Sequence, residues 1–299
     1  MNFSISDLEH LTGISTHTIR IWERRYNALT PIRSEGNTRL YDDNQLRRLL
    51  NIVSLVQSGL KISKACSLND QEIDKLLGWE IEKTVSDDLQ FEYYVNQLLN
   101  FGIEYNEKGI DSLLTHCINK YSVPETYKHI IYPLLVRLGL MWQKDNYCPS
   151  QEHFLTSIIK QKLFAAIDKL PLPQNSKNNW LLFLPEDEDH DIGLIFANYL
   201  LRLSGQKVTY LGPRVPLISV KNVIIKSNIT NILLFMVKGR SLNEIKDYLT
   251  ELSKIFNKSK IQLAGNTKLL NELDMHENVN LFRSLDEFEH IIKSVNNAE

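Results

Sequence analysis

A histidine flanked by carboxylates stands in a short acidic loop (186–191) in the last third of the chain. The loop follows the apolar run WLLFLP and contains Glu188 and His190, with Gly193 three residues after the histidine. A carboxylate that accepts the second ring N–H of a histidine fixes the tautomer and strengthens the other nitrogen as a metal ligand. The loop therefore predicts a metal site, and zinc is disfavoured because its usual further ligands are absent from this segment.

The position of the acidic loop also bears on the kind of ligand. In doubly wound folds, ligands bind where the carboxyl ends of the strands meet such loops. Neither a GxGxxG nor a Walker sequence opens the helix that follows, and an acidic loop would repel a pyrophosphate, so a nucleotide is disfavoured. In the alternative interpretation, Asp189 or Asp191 caps the helix and His190 is an exposed bystander.

A second group of candidate residues is basic and lies near the N-terminus. Two short helices meet at Gly13, and the second, which Ser15 can cap, carries Thr18, Arg20 and Arg24 on one face. Phosphates and guanine edges require arginine and hydroxyl groups, and a basic helix after a glycine turn is typical of a helix-turn-helix. Alternatively, the arginines merely solvate a helix face.

A hairpin is predicted after the second helix, in the segment 33–41. Gly36-Asn37 tolerates the positive φ of a tight turn, and the two arms would form the wing of a winged helix. Between residues 15 and 48 the net charge is 7 − 4 = +3, in a chain whose formal charge is 34 − 36 = −2. The chain as a whole is therefore no polybasic DNA or membrane binder, and a nucleic-acid function must be local.

The candidate residues lie in a chain with three zones of different hydrophobic periodicity. Short amphipathic helices fill the first zone, helical periodicity continues through the second, and in the third short apolar runs alternate with helices. These patterns predict a multidomain α and α/β protein with a four-helix bundle and a doubly wound parallel sheet. The predicted domains are a winged helix-turn-helix at 1–75, the bundle at 86–170 and the doubly wound domain at 178–299. The bundle helices are expected at 89–101, 107–121, 124–143 and 149–169, and the strands at WLLFLP, KVTYLG, NILLFMV, KIQLAG and VNLF.

The composition favours a reducing, aqueous compartment. Cys66, Cys117 and Cys148 lie far apart and form no CxxC or Cys/His pattern, which argues against a disulfide framework. The N-terminus lacks the basic start and apolar stretch of a signal peptide, and no run of about 18 apolar residues could span a bilayer. We expect a cytoplasmic protein without a membrane partner.

Residues 3–68 closely resemble the MerR family of transcriptional regulators. The resemblance is carried by the run ISDLEHLTGISTHTIRIWERRYNALTPIRSEGNTRLYDDNQLRRL, from the first helix through the wing. In that family the second helix and the wing hold double-stranded DNA at promoter or operator sites, and a dimeric habit on palindromic sites implies a homo-oligomer. The candidate DNA contacts, with Arg24 added from the helix face, are Thr16, His17, Thr18, Arg20, Arg24, Tyr26, Arg39 and Tyr41.

The spacing Glu188-x-His190-x-x-Gly193, followed by a helix and then YLGPRVP, resembles the cobalamin-binding domain of corrinoid-dependent methyltransferases, mutases and light-responsive regulators. In those domains the histidine ligates cobalt from below and the carboxylate orients the histidine. The resemblance therefore implies His190 as the metal ligand and cobalamin, with adenosylcobalamin as the expected form, as the cofactor. The other implied corrinoid-binding residues of this domain are Glu188, Asp189, Gly193, Gly212 and Gly265.

The bundle contains a tryptophan followed, after nine residues, by a Glu-His pair: Trp142, Glu152 and His153. This spacing is similar to the capping bundle of MerR-type cobalamin photoreceptors, where these residues cover the upper face of the corrin. A buried tryptophan and a hydrogen-bonded Glu-His pair are also common in ordinary bundles. Light-sensing relatives carry a histidine directly after the tryptophan, where this chain has Gln143, a poor cobalt ligand.

Two further positions depart from the resembled cobalamin domain. Its members place a serine or threonine soon after the third strand and a Gly-Gly pair after the fourth, where the nucleotide tail of the cofactor is buried. This chain has Met236 and the sequence Ala264-Gly265-Asn266 at these places. The substitutions imply a narrower or differently paired tail pocket.

Together these features predict a DNA-binding transcriptional regulator, not an enzyme, whose activity a bound corrinoid controls, with light as one candidate signal. One alternative is a corrinoid-carrying component of a methyltransferase, which would have no use for a DNA-reading module. Another is a MerR-type regulator of the same fold that has lost cobalamin binding and senses another ligand.

Overall fold

In the computed structural model the backbone divides into two units, Met1–Ile159 and Lys160–Glu299. The boundary between them falls inside the last helix of the bundle, so the helix-turn-helix and most of the bundle share one unit. The structure describes residues 2–34, 36–57, 59–69, 72–73, 76, 87–142, 149–173, 176, 178–265, 270 and 276–297.

The N-terminal part begins with two capped helices, as the sequence predicts. Helix α1 (Ile5–Thr12) starts after Ser4, whose side chain caps it, and ends at Gly13 in the left-handed conformation with a φ of 69°. Helix α2 (Thr16–Tyr26) starts after Ser15, whose side chain also accepts a backbone hydrogen bond. Serine satisfies an otherwise unpaired N–H at a helix start, and glycine adopts the left-handed conformation without a Cβ penalty.

The predicted hairpin is confirmed. Strands β1 (Ile32–Arg33) and β2 (Arg39–Leu40) pair antiparallel, and their turn contains Asn37 with a φ of 59°. An isolated antiparallel bridge between Phe3 and Tyr41 ties the end of the hairpin to the start of the chain. Helices α3 and α4 complete this part at Asp43–Gln57 and Ile62–Ser67.

The second zone is helical, as its periodicity predicts. The predicted break between its second and third helices falls at Ser122, whose φ of 78° and ψ of 167° are not helical. Pro124 follows two residues later; proline lacks an N–H and clashes with the preceding turn, so it ends one helix and suits the first turn of another. The helices are α5 (Asp87–Ile103), α6 (Glu107–Thr126), a π-helical turn (Tyr127–Ile131), α7 (Tyr132–Trp142) and α8 (Pro149–Asp168).

Helix α3 packs against α5 through buried polar side chains. The amide of Asn100 donates to Oδ1 of Asn51 at 2.9 Å, and the amide of Gln97 donates to Oγ of Ser54 at 3.1 Å. Buried polar groups are costly unless they are paired, so these hydrogen bonds specify one register between the two helices.

The second unit contains a five-stranded parallel sheet in the order β4-β3-β5-β6-β7. The predicted doubly wound domain is confirmed, and every residue of β3 is buried, as expected of a strand covered on both faces. The strands are β3 (Asn179–Pro185), β4 (Lys207–Val215), β5 (Asn231–Met236), β6 (Lys260–Gly265) and β7 (Val279–Leu281). The helices are α9 (Ile192–Leu203), α10 (Leu217–Lys226), α11 (Leu242–Ile255) and α12 (Leu285–Asn297).

The strand order reverses beside β3. The chain passes from β3 outward to β4 and then returns to the other side of β3 to form β5. At such a switch point the loops that leave the two neighbouring strands diverge and form a crevice for a ligand. The acidic loop follows β3, so the topology brings it beside the segment that follows β5.

Apolar side chains fill the interior of the second unit. Leu181, Phe183, Ile232, Leu252 and Leu263 are fully buried in one cluster, and burial of this kind is the main force that holds such a domain together. Within the described ranges, no helix has both the length and the apolarity needed to cross a membrane.

Candidate metal and DNA-binding sites

The acidic loop buries one carboxylate completely. Glu188 is 0% exposed, and its Oε2 accepts hydrogen bonds from the backbone N–H groups of Val237 and Lys238, each at 2.8 Å. Nη1 of Arg240 lies 3.4 Å from the same oxygen. These three residues follow β5, so the switch point supplies the donors that a buried carboxylate requires.

The other oxygen of Glu188 faces His190. Nδ1 of the imidazole lies 2.5 Å from Oε1 of Glu188, so the ring donates its Nδ1–H to the carboxylate. In this tautomer Nε2 carries the lone pair and is the ring nitrogen able to ligate a metal. The His190 side chain is 50% exposed, which leaves it accessible to a ligand.

The pKa of Glu188 is lowered from 4.5 to about 2. Burial by itself raises this pKa, but the hydrogen bond from His190 and those from the Lys238 and Val237 N–H groups outweigh burial. Glu188 is therefore ionised at neutral pH and acts as an acceptor toward His190.

The acids on either side of Glu188 are paired with arginines. Oδ1 and Oδ2 of Asp187 lie 2.6 and 3.1 Å from Nη2 and Nε of Arg240. Oδ2 of Asp189 lies 2.6 Å from Nη2 of Arg214. Hydrogen bonds from the two arginines lower the pKa of both aspartates.

Asp191 occupies the position before α9 but makes no capping hydrogen bond through its side chain. Its Oδ1 lies 2.6 Å from Nζ of Lys160 on α8. The alternative in which the Asp191 carboxylate caps the helix is therefore wrong, because this carboxylate forms an ion pair.

The glycines expected to contact a corrinoid occupy distinct positions near the same edge of the sheet. Gly193 lies in the first turn of α9, Gly212 lies at a register shift of β4 with a φ of 83°, and Gly265 ends β6. A Cβ on Gly265 would stand 1.9 Å from the carbonyl oxygen of Met236, so only glycine fits there. Met236 is 2% exposed, and Asn266 lies outside the described residues.

The donor set fits a corrinoid cobalt better than zinc. Among the described residues, Glu188, Asp189 and His190 form the one group of His, Cys, Asp and Glu ligand atoms close enough together to hold a metal. Zinc would need all three as ligands, but Glu188 and Asp189 already accept hydrogen bonds from backbone N–H groups and arginines. A metal already held by a macrocycle can use the imidazole alone. A half-exposed imidazole whose tautomer is fixed by a buried carboxylate is suited to that role.

The candidate capping residues lie on α7 and α8. Glu152 and His153 are in the first turns of α8, and Oε2 of Glu152 lies 3.5 Å from Nδ1 of His153. The side chain of His153 is 74% exposed and that of Glu152 is 28% exposed, so the histidine does not belong to a buried bundle core. Trp142 ends α7; its side chain and the whole of Gln143 lie outside the described residues.

Helix α2 presents an exposed basic face. His17, Arg20 and Arg24 are exposed, and the structure places them on the helix that the sequence assigned to DNA. The remaining candidates of this helix are half-buried: Thr16, Thr18 and Tyr26.

The wing is joined to α2 by Glu23, which the sequence analysis missed. Oε1 of Glu23 accepts from Nε of Arg39, and Oε2 accepts from the Tyr41 hydroxyl, both at 3.0 Å. Tyr41 is 0% exposed, so its predicted role as a direct DNA contact is contradicted: its hydroxyl is used to hold the wing. The signal that could have revealed this pairing is an acid on an otherwise basic helix face.

Two family models match the chain. Residues 3–68 match the MerR HTH family regulatory protein, and residues 94–166, which belong to the bundle, match the B12 binding domain. The chain is 27% identical over 252 residues to the HTH-type transcriptional repressor CarH of Myxococcus xanthus, covering 84% of each protein. It is 25% identical over 254 residues to the HTH-type transcriptional repressor CarA of the same organism, covering 84% of this chain and 82% of CarA.

The fold of this chain is also similar to that of a solved structure. The monomethylamine corrinoid protein of Methanosarcina barkeri covers 66% of this chain and 96% of its own length, with a TM-score of 0.53 and 16% identity. At this level of identity the similarity concerns the fold alone.

The chain is a DNA-binding transcriptional regulator that combines a MerR-type helix-turn-helix with a B12-binding domain. It is homologous to the repressors CarH and CarA. Because these relatives are regulators, the predicted regulator is favoured over the corrinoid-carrying enzyme component.

Proposed function

We propose that this regulator binds a corrinoid through His190 and that the bound corrinoid controls its affinity for DNA. The pairing of His190 with the buried, ionised Glu188 at the switch point carries the proposal. An imidazole held in this way could serve as the protein's donor to a corrinoid cobalt. The match of the bundle to the B12 binding domain supports the same ligand.

The corrinoid that we propose is cobalamin in its adenosyl form. When bound, it would supply a cobalt–carbon bond whose cleavage, by light as one candidate signal, distinguishes two states of the regulator. His190 would hold the cobalt, and Glu188 would keep its proton on Nδ1. The other proposed corrinoid contacts are Asp189, Gly193, Gly212 and Gly265 in the second unit and Trp142, Glu152 and His153 in the bundle.

On the DNA side, we propose that α2 lies in the major groove and that the wing contacts the phosphate backbone. The exposed side chains of His17, Arg20 and Arg24 are the principal candidates, and Arg39 retains 26% exposure beside Glu23. A single winged helix binds weakly, so a homo-oligomer on a palindromic operator would double these contacts. The proposed site of action is the cytoplasm, where the buried thiols of Cys66 and Cys117, which form no disulfide, would stay reduced.

The test is an absorption titration of the full chain with hydroxocobalamin and adenosylcobalamin. His190→Ala removes the proposed ligand, and His290→Ala removes an exposed histidine on α12 as a matched control. We expect the parent and His290→Ala to retain the corrinoid, and His190→Ala to bind at least tenfold more weakly because a metal–ligand bond is lost. Equal affinity of His190→Ala and the parent would show that the acidic loop is not the cobalt site.

The same samples decide whether the corrinoid controls DNA binding. Gel-shift titrations with a DNA site selected by the full chain from random duplexes, with and without adenosylcobalamin and before and after illumination, should show different apparent affinities. A corrinoid that binds tightly without changing DNA affinity would contradict the proposed control. A parent that binds DNA but no corrinoid would instead indicate a MerR-type regulator that senses another ligand.

A further inference from the structure

Arg240 is nearly buried and joins two consecutive carboxylates of the acidic loop. Its side chain is 9% exposed, with Nη2 and Nε at 2.6 and 3.1 Å from the two oxygens of Asp187. Nη1 lies 3.4 Å from Oε2 of Glu188. A guanidinium donates from several N–H groups in one fixed plane, so it can hold both carboxylates at once.

Arg240 reaches these carboxylates from the other side of the switch point. It lies between β5 and α11, in the same segment whose backbone N–H groups at Val237 and Lys238 also donate to Glu188. The backbone donors fix where Oε2 lies, and the backbone N–H of His190 lies 3.3 Å from the other oxygen, Oε1. The guanidinium adds a planar contact that also holds the neighbouring Asp187.

We propose that Arg240 is a positioning residue for His190. By holding Asp187 and Glu188 together, it fixes the position of Oε2 and, together with the His190 backbone N–H on Oε1, the direction in which the imidazole presents Nε2. This inference rests on the proposed corrinoid function and adds a residue that touches neither the metal nor, by its described hydrogen bonds, the imidazole.

The other arginine of this region is not expected to act in the same way. Arg214 pairs with Asp189, but the side chains are 67% and 49% exposed. Exposed ion pairs in water contribute little to fixing a geometry, because solvent screens them and both side chains remain free to move. Asp187 is also 54% exposed, but Arg240 differs because its own side chain and that of its second partner, Glu188, are removed from solvent.

The experiment compares Arg240→Gln and Arg240→Lys with Arg202→Gln in the full chain. Arg202 is a matched control, since it also makes two hydrogen bonds within the second unit, to Asn198 Oδ1 at 2.8 Å and to the Val208 carbonyl oxygen at 3.2 Å. Two quantities are measured: the affinity for hydroxocobalamin, and the electron paramagnetic resonance spectrum of bound cob(II)alamin, in which a coordinated nitrogen splits the cobalt lines. Thermal unfolding without corrinoid checks the fold.

We expect Arg240→Gln to bind hydroxocobalamin about tenfold more weakly, because substitutions of residues that orient a metal ligand have effects of this size. The variant should also lose part of the nitrogen splitting in the spectrum of bound cob(II)alamin. Arg240→Lys should fall between it and the parent, because one ammonium group cannot hold both carboxylates. The inference is overturned if both Arg240 variants keep the parent's affinity and splitting, or if Arg202→Gln loses them equally.

If the proposed binding of a corrinoid through His190 is wrong, the result is different: the parent's own cob(II)alamin spectrum shows no splitting from a histidine nitrogen. If Arg240→Gln does not fold, Arg240→Lys and Asp187→Asn decide the question. Asp187→Asn weakens the bidentate contact of Arg240 without altering Glu188, and it should also reduce the splitting. Unchanged splitting in both would overturn the inference.

Discussion

Replacing Glu188 by glutamine removes one buried charge while keeping nearly the same shape. The carboxylate accepts from Val237, Lys238 and Arg240 on one oxygen and from His190 on the other. An amide offers one oxygen and one NH2 group, so the NH2 must face the Nδ1–H donor unless His190 changes its tautomer. With the amide oxygen toward Val237 and Lys238, the backbone N–H of His190 also loses its acceptor, Oε1 at 3.3 Å. With the oxygen toward the backbone N–H groups, the NH2 faces Nδ1, and the imidazole proton moves to Nε2, the nitrogen needed for the metal.

The stability cost of Glu188→Gln follows from the pKa. Lowering the pKa of Glu188 from 4.5 to about 2 corresponds to roughly 3 kcal/mol of the free energy of unfolding, at about 1.4 kcal/mol per pKa unit. Because the pKa is depressed in the folded state, this stabilisation is present above the unfolded value of 4.5. It is lost as the pH falls through about 2. The advantage of the parent over the variant should therefore be about 3 kcal/mol at neutral pH and shrink in acid.

Urea unfolding of the full chain, followed by circular dichroism at pH 7 and in steps below pH 5, measures this difference. Glu186→Gln is the matched control, because it makes the same change of charge in the same loop at an exposed side chain. Hydroxocobalamin titrations should show about tenfold weaker binding for Glu188→Gln alone. The reasoning is refuted if the two variants are equally stable at pH 7, or if the difference from the parent does not depend on pH.

Three further perturbations test the wing, the helix face and the edge of the sheet. Glu23→Ala leaves Arg39 and the buried Tyr41 hydroxyl without their shared acceptor. We expect the free energy of unfolding in urea to fall by about 1–3 kcal/mol and operator binding to weaken. Unchanged operator binding would exclude a role for this contact in holding the wing. Arg20→Ala should weaken operator binding at an unchanged Tm. The slope of the logarithm of the DNA-binding constant against the logarithm of the salt concentration should fall in magnitude by about one, and an identical slope would mean that Arg20 contacts no phosphate. Gly265→Ala would place a Cβ 1.9 Å from a backbone oxygen. We expect the free energy of unfolding to fall by about 3 kcal/mol or more and the Tm to fall with it. A Tm equal to that of the parent would contradict the close approach.

Local signals predicted the elements of the fold accurately. Ser4 and Ser15 start helices and Gly13 ends one, because capping depends on groups within a single turn. The break at Ser122 precedes Pro124 for an equally local reason. The apolar runs of the last third became a parallel sheet because strands without a polar face must be covered on both sides.

Partners distant in the sequence were not predictable in the same way. Asn51 and Asn100 are both polar residues on helices, and nothing in either helix alone indicates that they would be buried against each other. The family resemblance places Tyr41 among the DNA contacts of the wing, but its hydroxyl suits the carboxylate of Glu23 equally well. The choice between these partners depends on where the hairpin lies against α2.

The sequence by itself determined the modules, their order and the residues able to do chemistry: a basic helix-turn-helix, a helical zone and a histidine beside a carboxylate on a loop after a buried strand. Periodicity, capping and motif spacing are local properties, so they can be read without the fold. Only the tertiary structure decided that Glu188 would be fully buried and held by Val237, Lys238 and Arg240. The physical reason is that the strand order places β5 beside β3, and this pairing brings together groups about 50 residues apart whose hydrogen bonds keep the carboxylate ionised and the imidazole oriented.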